Sequence, residues 1–328
     1  MDTMLDQFER TIDYVRISVT DRCNLRCTYC MPAEGVEAFQ CKDILSYEEM
    51  IRLCHIFASL GIKKIKITGG EPLVRLDVCK FIAAIKAIEG IEQVTITTNG
   101  VLLETMAEEL IRAGVDGINI SLDTVKKENF KQLTRHDHLD RVIRGIDKLV
   151  QMQYKKIKIN CVPIEEVNGD QIAQIAWLAK DHPIAVRFIE LMPIGMATGY
   201  TAIDKEKILQ SIHKEYGELI PWNGNLGNGP AKYFSIRGFK GKIGFIEALH
   251  HKFCDQCNRV RLTSNGFLKL CLQYDTGIDL RKFLRSDADD AYIQKIIEKN
   301  IFLKPREHYF NDSTTLASDQ RKMFQVGG

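Results

Sequence analysis

The sequence contains no run of 18 or more apolar residues, whereas a helix that crosses a bilayer needs about 20. A helical membrane span is therefore excluded. It also lacks the cationic-then-apolar opening of a secretory signal, since it starts Met1-Asp2-Thr3-Met4-Leu5-Asp6-Gln7-Phe8-Glu9-Arg10. The expectation is a cytoplasmic protein. No block of one charge sign is present: 45 Lys and Arg against 43 Asp and Glu leave a formal net charge of +2. Nothing marks the surface as a binder of nucleic acid or membrane, so an anionic ligand has to be met by a few placed cations. Apart from strand–helix units there is no internal repeat, and there is no low-complexity tract.

What remains is an ordinary globular composition, 45% hydrophobic and 27% charged over 328 residues, enough for one large domain or two ordinary ones. Ten cysteines in a reducing compartment do not imply a disulfide framework. Six of them fall into two spaced trios, Cys23/Cys27/Cys30 and Cys254/Cys257/Cys271. Cys41, Cys54, Cys79 and Cys161 read as small buried hydrophobes.

From Tyr14 to about Glu190 short β-branched runs alternate with amphipathic stretches. Strands are predicted at 14–19, 63–68, 93–97, 117–121, 156–162 and 185–190, and helices at 46–60, 76–88, 103–113, 139–153 and 169–181. Ser46 followed by Glu49 makes a capping box, and Gly61 and Gly114 sit where helices should stop. Six alternating units imply a parallel sheet. Unusual polar residues end successive strands: Gly69-Gly70-Glu71-Pro72, Thr97-Thr98-Asn99-Gly100, Ser121-Leu122-Asp123 and Glu190-Leu191-Met192. A barrel gathers all strand ends at one mouth, whereas an open doubly wound sheet uses only those beside its switch point. The expectation is α/β, a partial (β/α)6 barrel of the TIM type over 1–192. A smaller region, 193–328, would close its mouth, with further alternation at 232–236 and 242–246 and a helix at 291–299.

The trios carry the chemistry. An iron–sulfur cube has four irons and normally takes four thiolates, so three cysteines leave one iron open, the mark of a reactive rather than a structural metal. A zinc site is the alternative for each trio; at the second it would borrow His250 or His251. If 258–262 is extended, Cys257, Arg259 and Arg261 share one face and Val260 and Leu262 the other. Two guanidiniums on one face suit a triphosphate, unless they are a solvated basic edge.

The first trio, with Tyr29 before its last cysteine and Gly69-Gly70-Glu71-Pro72 one strand later, resembles the radical S-adenosylmethionine (SAM) enzymes. With the Thr-Thr-Asn-Gly and Ser-Leu-Asp loops, the second trio, Arg259-Val260-Arg261 and the closing Gly327-Gly328, the chain resembles the GTP 3′,8-cyclase family, which opens molybdenum cofactor biosynthesis. The resemblance implies two 4Fe–4S clusters. Cys23, Cys27 and Cys30 would hold the one whose free iron chelates SAM, with Tyr29, Gly70, Ser121 and Met192 around that ligand. Cys254, Cys257 and Cys271 would hold a second, whose open iron binds the guanine of GTP. Arg16, Lys66, Thr97, Lys158, Arg259, Val260 and Arg261 would contact GTP, and Gly327 and Gly328 would reach into the active site. Lys66 departs from the family, which commonly has arginine there; lysine keeps the charge and loses the planar fork.

The activity so implied is that of a lyase. One electron cleaves SAM, the resulting 5′-deoxyadenosyl radical takes the C3′ hydrogen of GTP, and C3′ bonds to C8. The product is (8S)-3′,8-cyclo-7,8-dihydroguanosine 5′-triphosphate. The implied partners are an electron donor such as flavodoxin, a downstream cyclic pyranopterin monophosphate synthase and a second copy in a homodimer. Two other functions fit the residues: a radical SAM enzyme acting on a peptide or other small molecule, and an iron–sulfur electron carrier or zinc-stabilised binding module.

Overall fold

The computed structural model describes residues 4–35, 40–310, 321 and 323–326. Six strands form its centre: β1 (Tyr14–Ser18), β2 (Lys64–Thr68), β3 (Gln93–Thr98), β4 (Gly117–Ser121), β5 (Ile157–Cys161) and β6 (Ala185–Ile189). They lie side by side in chain order and pair in parallel throughout. Chain order is what a barrel wall requires, since a doubly wound sheet reverses its order at a switch point. The α/β partial barrel expected from the strand ends is the fold.

Period-two alternation assigns each strand two environments. Val15, Ile17, Ile65, Ile67, Val94, Ile96, Ile118, Ile120, Ile159 and Val186 are fully buried in one continuous apolar core. Helices between the strands supply the other side of that core: α1 (Tyr47–Ser59), α2 (Val78–Lys86), α3 (Leu103–Arg112), α4 (Lys127–Thr134), α5 (Leu139–Gln151), α6 (Glu165–Asn168) and α7 (Ile172–Trp177). The capping box at α1 is present: the Ser46 hydroxyl accepts from the Glu49 N–H at 3.2 Å, and the Glu49 carboxylate accepts from the Ser46 N–H at 2.7 Å. Gly61 and Gly114 end α1 and α3 at φ of 87° and 82°, left-handed values that glycine adopts without strain. Cys54, Cys79 and Cys161 are buried, as small hydrophobes are.

The helix expected over 169–181 is divided. It begins earlier, at α6, tightens into a 3-10 turn at Gly169–Gln171 and ends at Trp177. The sequence gives no strong sign of α4, because its eight residues bury only Phe130, Leu133 and Thr134.

Beyond β6 the chain forms α8 (Lys205–Tyr216), β7 (Leu219–Trp222), β8 (Lys232–Ile236), β9 (Lys242–Ile246), β10 (Arg259–Leu262), β11 (Phe267–Lys269) and β12 (Gly277–Asp279). Helices α9 (Arg281–Leu284), α10 (Asp290–Phe302) and α11 (Met323–Val326) follow. This part extends the same sheet at both edges. β9 pairs in parallel with β6 and is followed by antiparallel β8 and β7, while β10 pairs in parallel with β1 and is followed by antiparallel β11 and β12. The 12-stranded sheet is open, ending in β12 and β7. Pro221 lies in β7, an edge strand, where a missing N–H is tolerated.

Candidate active site

The concave face of the sheet encloses a chamber of about 600 Å³, within the range of small-molecule sites. Cys23, Cys27, Cys30, Tyr29, Gly70, Ser121 and Met192 line one part of it. Arg16, Lys66, Thr97, Lys158, Arg259 and Arg261 line the other. Strand register explains the cationic side. Arg261, Arg16 and Lys66 are direct partners across β10, β1 and β2. Like charges placed side by side on a sheet destabilise it, so such a row signals an anionic ligand.

Burial and the neighbouring cations Arg16, Arg187, Lys158 and Arg259 depress the Lys66 ammonium well below its usual range. Lys158 falls to about 8, through burial, Arg187 and Lys156. Burial, Arg16 and Arg259 likewise depress Arg261. Arg187, on β6, belongs to this set although sequence reasoning passed over it. It lines the chamber and donates to the amide oxygens of Asn160 at 2.9 Å and Asn119 at 2.8 Å. Neutral amides hold its geometry without cancelling its charge. An arginine at the centre of an otherwise apolar strand was the available signal. Val260 differs from its neighbours: its side chain is 1% exposed and packs in the core behind the sheet, so only its main chain is near the chamber's wall.

The first trio sits on the loop leaving β1. The end of α4 shapes this loop: the carbonyls of Thr134 and Leu133 accept the N–H groups of Arg26 at 3.0 Å and Thr28 at 2.9 Å. Arg135, left-handed at φ 60°, caps α4 and grips the carbonyls of Arg26 at 2.7 Å and Met31 at 3.0 Å. The paired glycines serve this same loop. A Cβ on Gly70 would lie 2.2 Å from the Arg22 carbonyl oxygen, while the Gly70 N–H donates to Thr20 at 2.7 Å and the Glu71 N–H to Arg22 at 2.8 Å. Glycine is needed there because main chain packs on main chain just before Cys23.

Glu71 is buried and raised to about 7 by that burial, against hydrogen bonds from Asn99, Thr98 and Leu73. The Asn99 amide it positions donates to Asn24 at 2.7 Å and lies 3.8 Å from the Cys23 sulfur. Tyr29 donates to Asp123 at 2.7 Å, and that carboxylate also accepts the Val162 N–H at 2.8 Å. Burial and Glu71 push the Cys23 thiol up to about 11; burial and Cys23 push Cys30 to about 12; burial, Cys30 and Asp123 raise Cys27 well above the ordinary thiol range.

The second trio is differently placed. Cys254 and Cys257 flank the turn Cys254–Gln256, and Cys271 follows β11. The three thiols are within electrostatic reach of one another, and Cys257 and Cys271 also of Arg261, which lines the chamber. Burial opposes ionisation of Cys257, but Lys304 and Arg259 outweigh it and draw the thiol down to about 7. His250 and His251 are exposed, their Nδ1 atoms paired with Glu190 and Glu247. Among the described residues no three His, Cys, Asp or Glu side chains close around a single ion. An all-thiol donor set of three free cysteines fits an iron–sulfur cluster at each trio. Gly327 and Gly328 lie outside the described residues, as does the Cys41 side chain. Just ahead of the glycines, Met323 and Phe324 line the chamber, and the Phe324 N–H donates to the Cys30 sulfur.

Comparison with known proteins agrees with this layout. The radical SAM superfamily model matches residues 17–179, and the model for molybdenum cofactor synthesis C matches residues 184–310. A protein named GTP 3′,8-cyclase from Clostridium perfringens (strain 13 / Type A) is 44% identical across 99% of this chain and 100% of its own length. One of the same name from Desulforamulus reducens is 42% identical over 99% of this chain and 100% of its own length. Among solved structures, Streptococcus suis SuiB bound to S-adenosylmethionine superposes with a TM-score of 0.61 at 18% identity, over 87% of this chain and 67% of that one, a likeness of fold. The motifs, the chamber and relatives that match from end to end place the chain in the GTP 3′,8-cyclase family of radical SAM enzymes.

Proposed function

We propose that the two sides of the chamber divide the work of GTP 3′,8-cyclisation, the activity of the family. The core, 1–192, binds SAM: Cys23, Cys27 and Cys30 hold a 4Fe–4S cluster, and Tyr29, Gly70, Ser121 and Met192 surround the ligand. Residues 193–328 supply Cys254, Cys257 and Cys271 for a second cluster that receives the guanine. Arg16, Lys66, Thr97, Lys158, Arg187, Arg259 and Arg261 hold and orient the triphosphate and ribose. Val260 contributes through its main chain, and Gly327 and Gly328 extend the tail from Phe324. When bound, the clusters supply the electron that cleaves SAM and an open iron for the base. The chain's own residues orient two ligands so that C3′ of the ribose meets the radical and then C8, and exclude water meanwhile.

The in-register row Arg261–Arg16–Lys66 carries this reading. Its position on the sheet wall, lining the same chamber as the first trio and with Arg261 in electrostatic reach of Cys257 and Cys271, suits a triphosphate better than a peptide. Anaerobic reconstitution with SAM and GTP is the test: formation of 5′-deoxyadenosine together with the 3′,8-cyclic nucleotide is expected. SAM cleavage without any GTP-derived product would overturn it.

The same reading extends to partners. A small one-electron carrier of the flavodoxin type serves the first cluster, and a cyclic pyranopterin monophosphate synthase consumes the product, both in the cytoplasm. A second copy of the chain would cover the exposed Leu5, Phe8, Phe302 and Leu303, brought together where the Gln7 N–H donates to the Phe302 carbonyl at 3.0 Å. Sedimentation of the reconstituted protein tests the homodimer.

A further inference from the structure

The N-terminal arm ahead of β1 contains an arginine that the cyclisation chemistry does not call on. Arg10 is 7% exposed. Its Nε donates to the Asp6 carboxylate at 2.6 Å, within a turn that Asp6 closes by accepting the N–H groups of Phe8 at 2.9 Å and Arg10 at 3.0 Å. The rest of the guanidinium reaches across the molecule. One terminal nitrogen donates to the carbonyls of Cys254 at 2.8 Å and Arg306 at 2.6 Å, and the other to that of Pro305 at 2.7 Å. Three segments remote in sequence thus meet on one planar fork.

Each carbonyl that it holds leads to a thiol of the second trio. The Cys254 oxygen also accepts the Cys257 N–H at 3.0 Å, so Arg10 fixes the turn on which two of the cysteines stand. Holding Pro305 and Arg306 fixes the neighbouring Lys304, which is 2% exposed and donates to the carbonyl of Leu270, the residue before Cys271. Lys304 is also the cation that acts most strongly on Cys257. Gln7 adds a second tie to this strip, its side-chain amide donating to the Lys304 carbonyl at 3.2 Å. The His308 N–H, at the far end of the strip, donates to the Cys254 sulfur.

We propose that Arg10 is a positioning residue of the second cysteine trio: by joining the N-terminal arm to the Cys254 turn and to 304–306, it sets the spacing of Cys254, Cys257 and Cys271. This rests on the reading that those cysteines hold a cluster. A lone surface bridge contributes little. A buried fork bonded to three segments is different, because its loss leaves several carbonyls unpaired at once.

The test uses the full chain reconstituted anaerobically, as wild type, Arg10→Gln and Arg10→Lys. Iron and sulfide are counted, and the electron paramagnetic resonance spectrum of the reduced protein is recorded with and without GTP. Wild type should hold about eight irons. Arg10→Gln should fall to about four, lose the GTP-dependent spectral change and still cleave SAM. Arg10→Lys keeps the charge but cannot span the same carbonyls, so it should lose the same centre in part. Either variant keeping about eight irons and the wild-type response to GTP would overturn the proposal, as would equal loss from both centres. A wild-type count of about four would instead remove the second cluster itself, a failure told apart because it precedes any substitution.

Discussion

Around Cys23, Cys27 and Cys30 the strongest charged neighbours outside the trio are carboxylates, Glu71 and Asp123. Around Cys257 they are the cations Lys304, Arg259 and Arg10, and Arg261 faces Cys257 and Cys271. Both trios are all-thiol, and on the proposed reading each would hold a cluster with one iron open, so the difference lies in the field. A centre beside buried carboxylates resists a further electron, and gives one up readily, because low local polarity amplifies each charge. A centre beside cations favours thiolate and welcomes an anionic substrate. On the proposed reading, opposite surroundings fit the same donor set for delivering an electron at the first trio and holding a nucleotide beside the second.

Removing a thiol from each trio tests this most severely. Cys27→Ala should abolish both 5′-deoxyadenosine and cyclic product, whereas Cys257→Ala should abolish the cyclic product while SAM cleavage persists. Liquid chromatography of both products decides, and loss of SAM cleavage in Cys257→Ala would erase the distinction. In wild type, the first centre should be reduced at a lower potential than the second in a titration followed by electron paramagnetic resonance; the reverse order would contradict the electrostatic account.

A smaller effect is expected along the cationic row. Arg261→Ala removes a charge-assisted contact of the kind worth roughly 1.5–3 kcal/mol, so GTP affinity should drop about 10- to 150-fold while SAM affinity stays within about twofold. Arg259→Ala should weaken GTP similarly and also disturb the second centre, since Arg259 acts on Cys257. Lys66→Arg restores a fork beside Arg16 and should change GTP affinity by only a few-fold, with isothermal titration as the readout; a loss as large as that of Arg261→Ala would mean that the chamber has no room for the larger head.

The difference between the two sites also explains what the sequence could disclose. Strand order, the capping box and the face shared by Arg259 and Arg261 follow from period and spacing, which are local. Arg10 and Lys304 escaped because their partners lie 244 and 34 residues away in the chain, and no periodicity links an arm, a turn and a tail. α4 escaped for a related reason: its importance lies in the carbonyls that it lends to Arg26 and Thr28, which side-chain patterning does not encode. Gly70 was legible as a close approach, but the approaching chain is Arg22. Arg187 stood in plain view within β6, and only the amides of Asn160 on the adjacent β5 and Asn119 on β4 beyond it reveal why an arginine is tolerated there.

The least drastic way to probe the cationic side uses pH alone. Lys158 ionises at about 8 in the free chain, held down by burial, Arg187 and Lys156. A triphosphate favours its protonated form, so GTP binding should take up a proton near pH 8, and affinity should fall as pH rises from 7 to 9, by at most about tenfold for one group. Lys158→Arg does not titrate in this range and should flatten that limb. Folding should respond with the opposite sign. The ordinary lysine value is about 10.4, so the unfolded chain binds more protons between 8 and that value, and the Lys158 contribution to stability should improve as pH rises through the window. Melting curves and GTP titrations at pH 7, 8 and 9 should therefore diverge in wild type and converge in Lys158→Arg, whereas parallel trends in wild type would show that the lysine lies outside the nucleotide's reach.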